Sequence, residues 1–115
     1  MAFLLYIFLT VANAIDVSAY QVIGKWSDEG CERSFIDLQS NGKYKFYKWR
    51  YDHYEITSEM YWWIEDGMIA LGTVPNHKTS LVGAIAIGAI NDRGFMGAFA
   101  LVDGTQEAIV MTKCY

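Results

Sequence analysis

Short apolar and aromatic runs alternate with Gly, Asn and Asp turns over residues 22–115. The turns are Asn41-Gly42, Asp66-Gly67, Asp92-Arg93-Gly94 and Asp103-Gly104. Such pairs adopt the tight backbone of β-hairpins, so each run is expected to pair antiparallel with the next. The pattern predicts an all-β domain, an eight-stranded antiparallel up-and-down barrel. The predicted strands span residues 21–27, 33–39, 43–50, 55–64, 68–73, 80–90, 94–102 and 106–114.

The third predicted strand changes its alternation halfway. Tyr44 and Phe46 share one face, whereas Trp49 and Tyr51 fall on the other face of a regular strand. Side chains alternate strictly along a strand, so one face stays apolar only if an extra residue is inserted. We therefore predict a β-bulge at Phe46-Tyr47. In the fourth strand, the residues expected to face inward are Ile56, Met60, Trp62 and Ile64.

Both faces of the hairpin at residues 80–102 are apolar, with bulky side chains on one face and small ones on the other. A strand that is buried on both sides has this composition. The outer face is then expected to need cover, and a homo-oligomer formed through the 80–102 hairpin would supply it. The alternative is a barrel exterior in which Ala and Gly are tolerated and ease curvature.

The aromatic side chains of the strands are expected to point at a shared interior. Apolar pockets with a few polar groups bind small ligands. The interior of an eight-stranded barrel is just large enough to be filled by side chains or to hold one small molecule, and both alternatives stay open. The candidate ligand-binding residues are Trp26, Tyr44, Phe46, Trp49, Trp62, Phe95 and Phe99.

The first 14 residues, MAFLLYIFLTVANA, differ from the rest of the chain. An apolar run over residues 2–12 ends at Ala12-Asn13-Ala14, which matches the small-x-small pattern of a cleavage site. The run is too short to span a bilayer, so no stable membrane span is expected. We predict a signal peptide over 1–14, a single β-barrel domain over 15–115, and a secreted or periplasmic location. An uncleaved N-terminal helix or anchor is the alternative, and residues 15–20 are expected to form a short extended or helical arm.

The two cysteines, Cys31 and Cys114, predict one disulfide, because an even pair in an exported protein is usually bonded. Their spacing does not match a metal site, so no metal is expected. The glycines occur at turns and within strands and form no phosphate-binding loop, and no cofactor is expected. Cys31 follows the first predicted strand and falls at the rim opposite Cys114. The bond therefore requires a short or displaced first strand or a different strand count, unless the two cysteines stay unbonded.

The formal net charge of −4 argues against nucleic acid as a partner, because nucleic-acid binding needs a basic surface. Four basic residues alternate with aromatic residues on the third predicted strand: Lys43, Lys45, Lys48 and Arg50. This pattern is typical of a strand with one solvent-exposed face and one buried face. His53 lies beside Asp52, but adjacent residues on a turn rarely form a positioned catalytic dyad. We expect no catalytic residues and no enzyme activity.

Gly24-Lys25-Trp26 on the first strand resembles the Gly-x-Trp of the calycins, that is, the lipocalins and more distantly the avidin-like proteins. The lipocalin resemblance implies a cup for an apolar ligand, with the tryptophan closing one end. Lipocalins carry an arginine on the last strand, and Lys113 is the nearest cation here. The longer run Gly24 to Ser27 is also similar to the start of an avidin-like barrel.

The chain also resembles the small periplasmic protease inhibitors of the Inh type. The features in common are Gly24-Lys25-Trp26 ahead of Cys31, an arm over Ile15 to Tyr20, and Asp66-Gly67 ahead of another strand. This resemblance implies an arm that plugs a metalloprotease cleft.

We therefore predict a non-enzymatic exported barrel of lipocalin-like type that binds a small apolar or aromatic ligand. The alternative is a protein-binding barrel of the enzyme-inhibitor type that acts through its rim loops and the 15–20 arm.

Overall fold

The computed structural model of the chain describes residues 14–115, so all of the predicted signal peptide except Ala14 lies outside the described residues. Eight strands follow one another in chain order, each antiparallel to its neighbours, and the last pairs with the first to close a barrel. They are β1 (Gly24–Ser27), β2 (Ser34–Leu38), β3 (Lys43–Arg50), β4 (His53–Glu65), β5 (Met68–Gly72), β6 (Leu81–Ile90), β7 (Gly94–Leu101) and β8 (Gln106–Cys114). The predicted eight-stranded up-and-down architecture is confirmed.

The segment ahead of β1 packs across one end of the barrel. The Ile15 amide donates to the carbonyl of Ile87 at 2.8 Å, and the Val17 amide donates to that of Gly67 at 3.0 Å. A short helix, α1 (Ala19–Val22), follows and buries Val22. Gly67 has φ +76°, and a Cβ there would overlap Asp16, so the β4–β5 turn needs glycine where the segment crosses it. The expected 15–20 arm is therefore bound to the barrel.

Trp26 completes the closure of this end. Its indole Nε1 donates to the Val22 carbonyl at 2.9 Å, and Phe95 packs edge-on with ring centroids 5.0 Å apart. The Nζ of Lys113 lies 4.3 Å from the indole centroid and donates to the Ile23 carbonyl at 3.1 Å. Gly24 has φ +139°, and a Cβ at this position would overlap the Lys113 amine. Gly24 of the Gly-x-Trp run therefore leaves room for the Lys113 ammonium group, which lies over the Trp26 ring.

The ladder between β3 and β4 shifts register between Phe46 and Tyr47, where the bulge was predicted. The extra residue, however, lies on β4: Phe46 pairs with Ser58 and Tyr47 pairs with Ile56, which leaves Thr57 unpaired. β3 therefore keeps its alternation, and Tyr47 lies on the outer face. The expectation that Ile56 faces inward is wrong, because the bulge turns it outward and leaves it 47% exposed.

The barrel closes over a short contact between β1 and β8. Only three residue pairs join them: Lys25 with Cys114, Trp26 with Lys113, and Ser27 with Thr112. Lys113 faces the interior beside Trp26, so its neighbour Cys114 faces outward by strand alternation. The β1–β2 loop (residues 28–33) returns along this outer side.

The predicted disulfide between Cys31 and Cys114 is present, with the two Cα atoms 5.7 Å apart. The apparent placement of the two cysteines at opposite rims was wrong because β1 has only four residues. The chain turns back before it reaches the other rim, which brings Cys31 over the end of β8. The strand count therefore needs no revision.

The outer face of the 80–102 hairpin is divided into two regions. Ala84, Ala86 and Ala100 are fully buried and form a cluster with Met68 of β5. Farther along the hairpin, Met96 and other apolar side chains are exposed. Self-association through this hairpin stays a prediction.

Replacing both Cys31 and Cys114 by Ser should lower the free energy of unfolding by about 2–5 kcal/mol, because the bond spans a sequence separation of 83 and restricts the unfolded chain. Denaturant unfolding followed by fluorescence measures the change. Treatment of the unaltered chain with dithiothreitol serves as the control and should give a loss of similar size. A double variant as stable as the unaltered oxidised chain would contradict the prediction.

Candidate functional site

A cavity of about 150 Å³ lies inside the barrel. Most of its wall is apolar, and three polar residues, Asp28, Tyr44 and Glu107, interrupt the apolar lining. The apolar lining consists of Ile36, Phe46, Leu71, Ile85, Phe99, Ile109 and Met111. A largely apolar concave space with a few polar groups is the usual form of a small-molecule site.

Six of the seven candidate ligand-binding residues belong to the main core, and three of them line the cavity. Trp26, Tyr44, Trp62 and Phe95 are buried, and Phe46 and Phe99 are partly buried against them. Tyr44, Phe46 and Phe99 form part of the cavity wall. Trp62 donates its Nε1 to the Gln39 carbonyl at 2.9 Å, in the β2–β3 turn, and therefore belongs with Trp26 at the closed end.

Trp49 is not brought together with the other six candidates. It is 45% exposed and packs on the outer face against Tyr54, with ring centroids 4.8 Å apart. The physical reason is the position of the bulge: the extra residue is on β4, so β3 does not change faces at Tyr47. The aromatic residues beyond that point form an outer cluster in which Phe35 stacks on Tyr47 at 4.9 Å.

Sequence reasoning missed the aliphatic part of the wall and both carboxylates. On β8, Glu107 alternates with the inward-facing Ile109 and Met111, so an acidic residue in an inward-facing set was the available signal. Asp28 carried no such signal. It reaches the cavity only because β1 ends one residue earlier, at Ser27.

The two carboxylates lie at an opening in the barrel wall. Residues 106–111 of β8 pair with β7 on one side, but β1 pairs only with Thr112, Lys113 and Cys114. The edge of β8 from 106 to 111 therefore has no strand beside it on the β1 side. We call this opening, between β8 106–111 and the β1–β2 loop, the β1–β8 gap. Asp28 and Glu107 are exposed to solvent and also line the cavity, so the gap leads to the interior.

Tyr44 supplies a neutral polar group to the cavity wall. The residue is 8% exposed. Burial, and in smaller part the negative charge of Asp28, raises the pKa of Tyr44 to about 12. Among the described residues, no hydrogen bond joins the Tyr44 hydroxyl to another group of the protein. A protonated phenol can donate and accept a hydrogen bond, so Tyr44 is available to a ligand.

The histidine singled out by the sequence lies away from the cavity. His53 Nδ1 is 2.9 Å from Asp52, and its Nε2 is 3.3 Å from Glu55. The hydrogen bond to Asp52 raises the pKa of His53, and Glu55 acts in the same direction. With both ring nitrogens held by carboxylates, the imidazole stabilises the β3–β4 turn. Over residues 14–115, no group of three His, Cys, Asp or Glu side chains has the geometry of a metal site.

Comparison with protein-family models, with curated proteins and with solved structures found no match to the chain. Among the helices of residues 14–115, none has the length and apolar content needed to cross a bilayer.

The free energy of unfolding should fall steeply between pH 10 and 12, because Tyr44 has a pKa of about 12 in the folded chain against an ordinary value of 10.0. The folded state holds this proton more tightly, so the stabilisation is complete below pH 10 and is lost as the pH rises through 12. Tyr44→Phe should reduce the alkaline loss by roughly 2–3 kcal/mol. Urea unfolding at a series of pH values measures this alkaline loss of unfolding free energy. Tyr20→Phe, at an exposed position, is the control and should keep the full loss. An unchanged alkaline slope in Tyr44→Phe would show that the prediction is wrong.

Proposed function

We propose that the chain is a non-enzymatic, exported β-barrel that binds one small apolar or aromatic ligand in its interior. The cavity of about 150 Å³ is the observation that carries this proposal. An engineered apolar cavity of about 150 Å³ in another protein stays dry and binds benzene, so the space suits a ligand of about that size. The apolar wall supplies the binding energy, and the polar residues at one side orient the ligand.

The lipocalin-like class is part of the proposal. Its support is the Gly24-Lys25-Trp26 run, with Trp26 at the closed end of the barrel and Lys113 of the last strand 4.3 Å from its indole centroid. In lipocalins an arginine occupies the last strand, and a lysine can cover an indole face in the same way. Export is supported by the disulfide, which is typical of oxidising compartments, and by the apolar run with its cleavage pattern at residues 1–14.

Benzyl alcohol is a suitable neutral probe, because it has about the size that the cavity accepts. We expect calorimetric titration to give one site per chain with a dissociation constant of about 0.1–1 mM. The much larger probe 8-anilinonaphthalene-1-sulfonate should not bind in the interior. Ile109→Phe fills the cavity and should weaken benzyl alcohol binding at least tenfold.

Val110→Phe is the matched control, because Val110 is the next residue on the same strand and is exposed on the outer face. It should leave the affinity within twofold of the unaltered chain. Failure of benzyl alcohol to bind a folded chain, or equal binding to both variants, would remove the support for an interior site.

A protein-binding function of the inhibitor type is the second candidate. Four apolar side chains are exposed on the β3–β4 hairpin and form what we call the hairpin patch: Trp49, Tyr51, Tyr54 and Ile56. Tyr51, at the turn, is 94% exposed, and Tyr54 is held by edge-on contacts with Trp49 and Phe35. Exposed, rigid aromatic side chains are the usual hot spots of protein interfaces. Because the 15–20 arm is bound to the barrel, the hairpin patch is the better contact surface.

Under this second function, the chain should inhibit at least one member of a panel of secreted proteases. The double variant Trp49→Ala, Tyr51→Ala should lose that inhibition at least a hundredfold while it keeps the unfolding midpoint. Tyr20→Ala removes an equally exposed tyrosine outside the hairpin patch and should have no effect. Absence of inhibition by the unaltered chain, or equal inhibition by the double variant, contradicts this function.

A further inference from the structure

We propose that the ligand is a compact organic cation, an aromatic or branched aliphatic body with one ammonium group, which enters through the β1–β8 gap. The proposal rests on the interior binding function above and names its ligand class. The apolar body occupies the cavity, and the ammonium stays at the gap between Asp28 and Glu107.

The route follows from the strand pairing. β1 covers β8 only at Thr112, Lys113 and Cys114, so the rest of the β8 edge has no strand beside it. The opposite part of the molecule is closed to a ligand, because Trp26, Val17 and Val22 are buried there. The disulfide holds Cys31 of the β1–β2 loop at the end of β8, whereas Asp28, at the start of the same loop, lines the cavity together with Glu107. The β1–β8 gap is therefore an opening in the wall at which cavity-lining residues meet solvent.

The charge follows from the side chains at that opening. Asp28 and Glu107 both line the cavity, and no lysine, arginine or histidine lines it with them. Among the described residues, neither carboxylate belongs to an ion pair. Two carboxylates without a cationic partner attract a cation and repel an anion at the entrance. Hydrogen bonds from an ammonium to carboxylates are about twice as strong as neutral ones, so the charge also favours the bound state.

The wall beyond the carboxylates determines the rest of the ligand. Ile36, Leu71 and Phe99 offer no oxygen or nitrogen ligands, so a bare metal ion would lose its hydration without replacement. An apolar body loses nothing on entering such a space and removes its own surface from water. Tyr44 remains a neutral phenol whose hydroxyl oxygen can accept a hydrogen bond from the ammonium. The volume of about 150 Å³ limits the body to roughly the size of one aromatic ring.

Benzylammonium, benzyl alcohol and benzoate form a matched set of probes, because their bodies are alike and their charges differ. In calorimetric titrations at low salt, benzylammonium should bind the unaltered chain about tenfold more tightly than benzyl alcohol, and benzoate should not bind measurably. Salt at about 0.5 M should reduce the advantage of the cation, because exposed carboxylates are screened.

The double variant Asp28→Asn, Glu107→Gln should lose the preference for benzylammonium and keep its affinity for benzyl alcohol within about twofold. The neutral probe therefore shows that the cavity is still formed. Glu29→Gln is the matched control, because Glu29 follows Asp28 in the loop and does not line the cavity. It should keep the cation preference.

Equal affinities of benzylammonium and benzyl alcohol for the unaltered chain would overturn the ligand class and leave the interior binding function in place. A cation preference that survives in the double variant would also overturn it, because the charge would then act elsewhere. If none of the three probes binds, the interior binding function fails, and this inference fails with it.

Discussion

The ring closure between β1 and β8 is the constraint on which the rest of the structure depends. Three ladder pairs join the first and last strands, and the Cys31–Cys114 bond reinforces them from outside. A four-residue first strand is too short to seal the wall, yet it is long enough to place Trp26 under the core. The same short strand therefore produces the closed end of the barrel, the position of the disulfide and the β1–β8 gap.

The two ends of the interior are built from different chemistry. At the closed end, polar side-chain atoms are satisfied by the chain itself: Trp26 donates to Val22 and Trp62 to Gln39. Asp28 and Glu107 at the gap, and Tyr44 in the cavity wall, have no such partners among the described residues and meet an apolar space. Tyr44 is the buried one of the three. Buried polar groups are normally hydrogen-bonded, so its hydroxyl distinguishes the part of the interior available to a ligand from the part that serves stability.

Much of the fold follows from short-range rules, which is why the sequence predicts it well. Turns such as Asp66-Gly67 fix where strands end, and alternation fixes which side chains share a face. Trp49 and Ile56 show where these rules fail: a one-residue insertion reverses the faces, and the sequence does not reveal which partner strand carries the extra residue. The pattern of apolar side chains suggested that β3 carries the extra residue, but the strand ladder places it at Thr57 of β4.

The site was harder to predict because its polar members depend on long-range geometry. Aromatic size led to Tyr44, Phe46 and Phe99, which do line the cavity, but also to Trp26, Trp62 and Phe95, which pack beside it. Asp28 joins the wall only because β1 ends at Ser27, whose Oγ accepts a hydrogen bond from the Gly30 amide at the start of the loop. The pairing of Cys31 with Cys114 could be inferred from their number, whereas its consequence for the wall required the strand ladder.

The unpaired edge of β8 has a consequence for the behaviour of the protein in reducing surroundings. Backbone amides and carbonyls on a free edge can template the addition of a strand from another molecule. In the oxidised chain, the disulfide between Cys31 and Cys114 keeps the unpaired part of the β8 edge short. Without it, separation of the three closing pairs would turn a ring with one short unpaired stretch into a curled sheet with two complete free edges, and each edge would be a starting point for intermolecular aggregation.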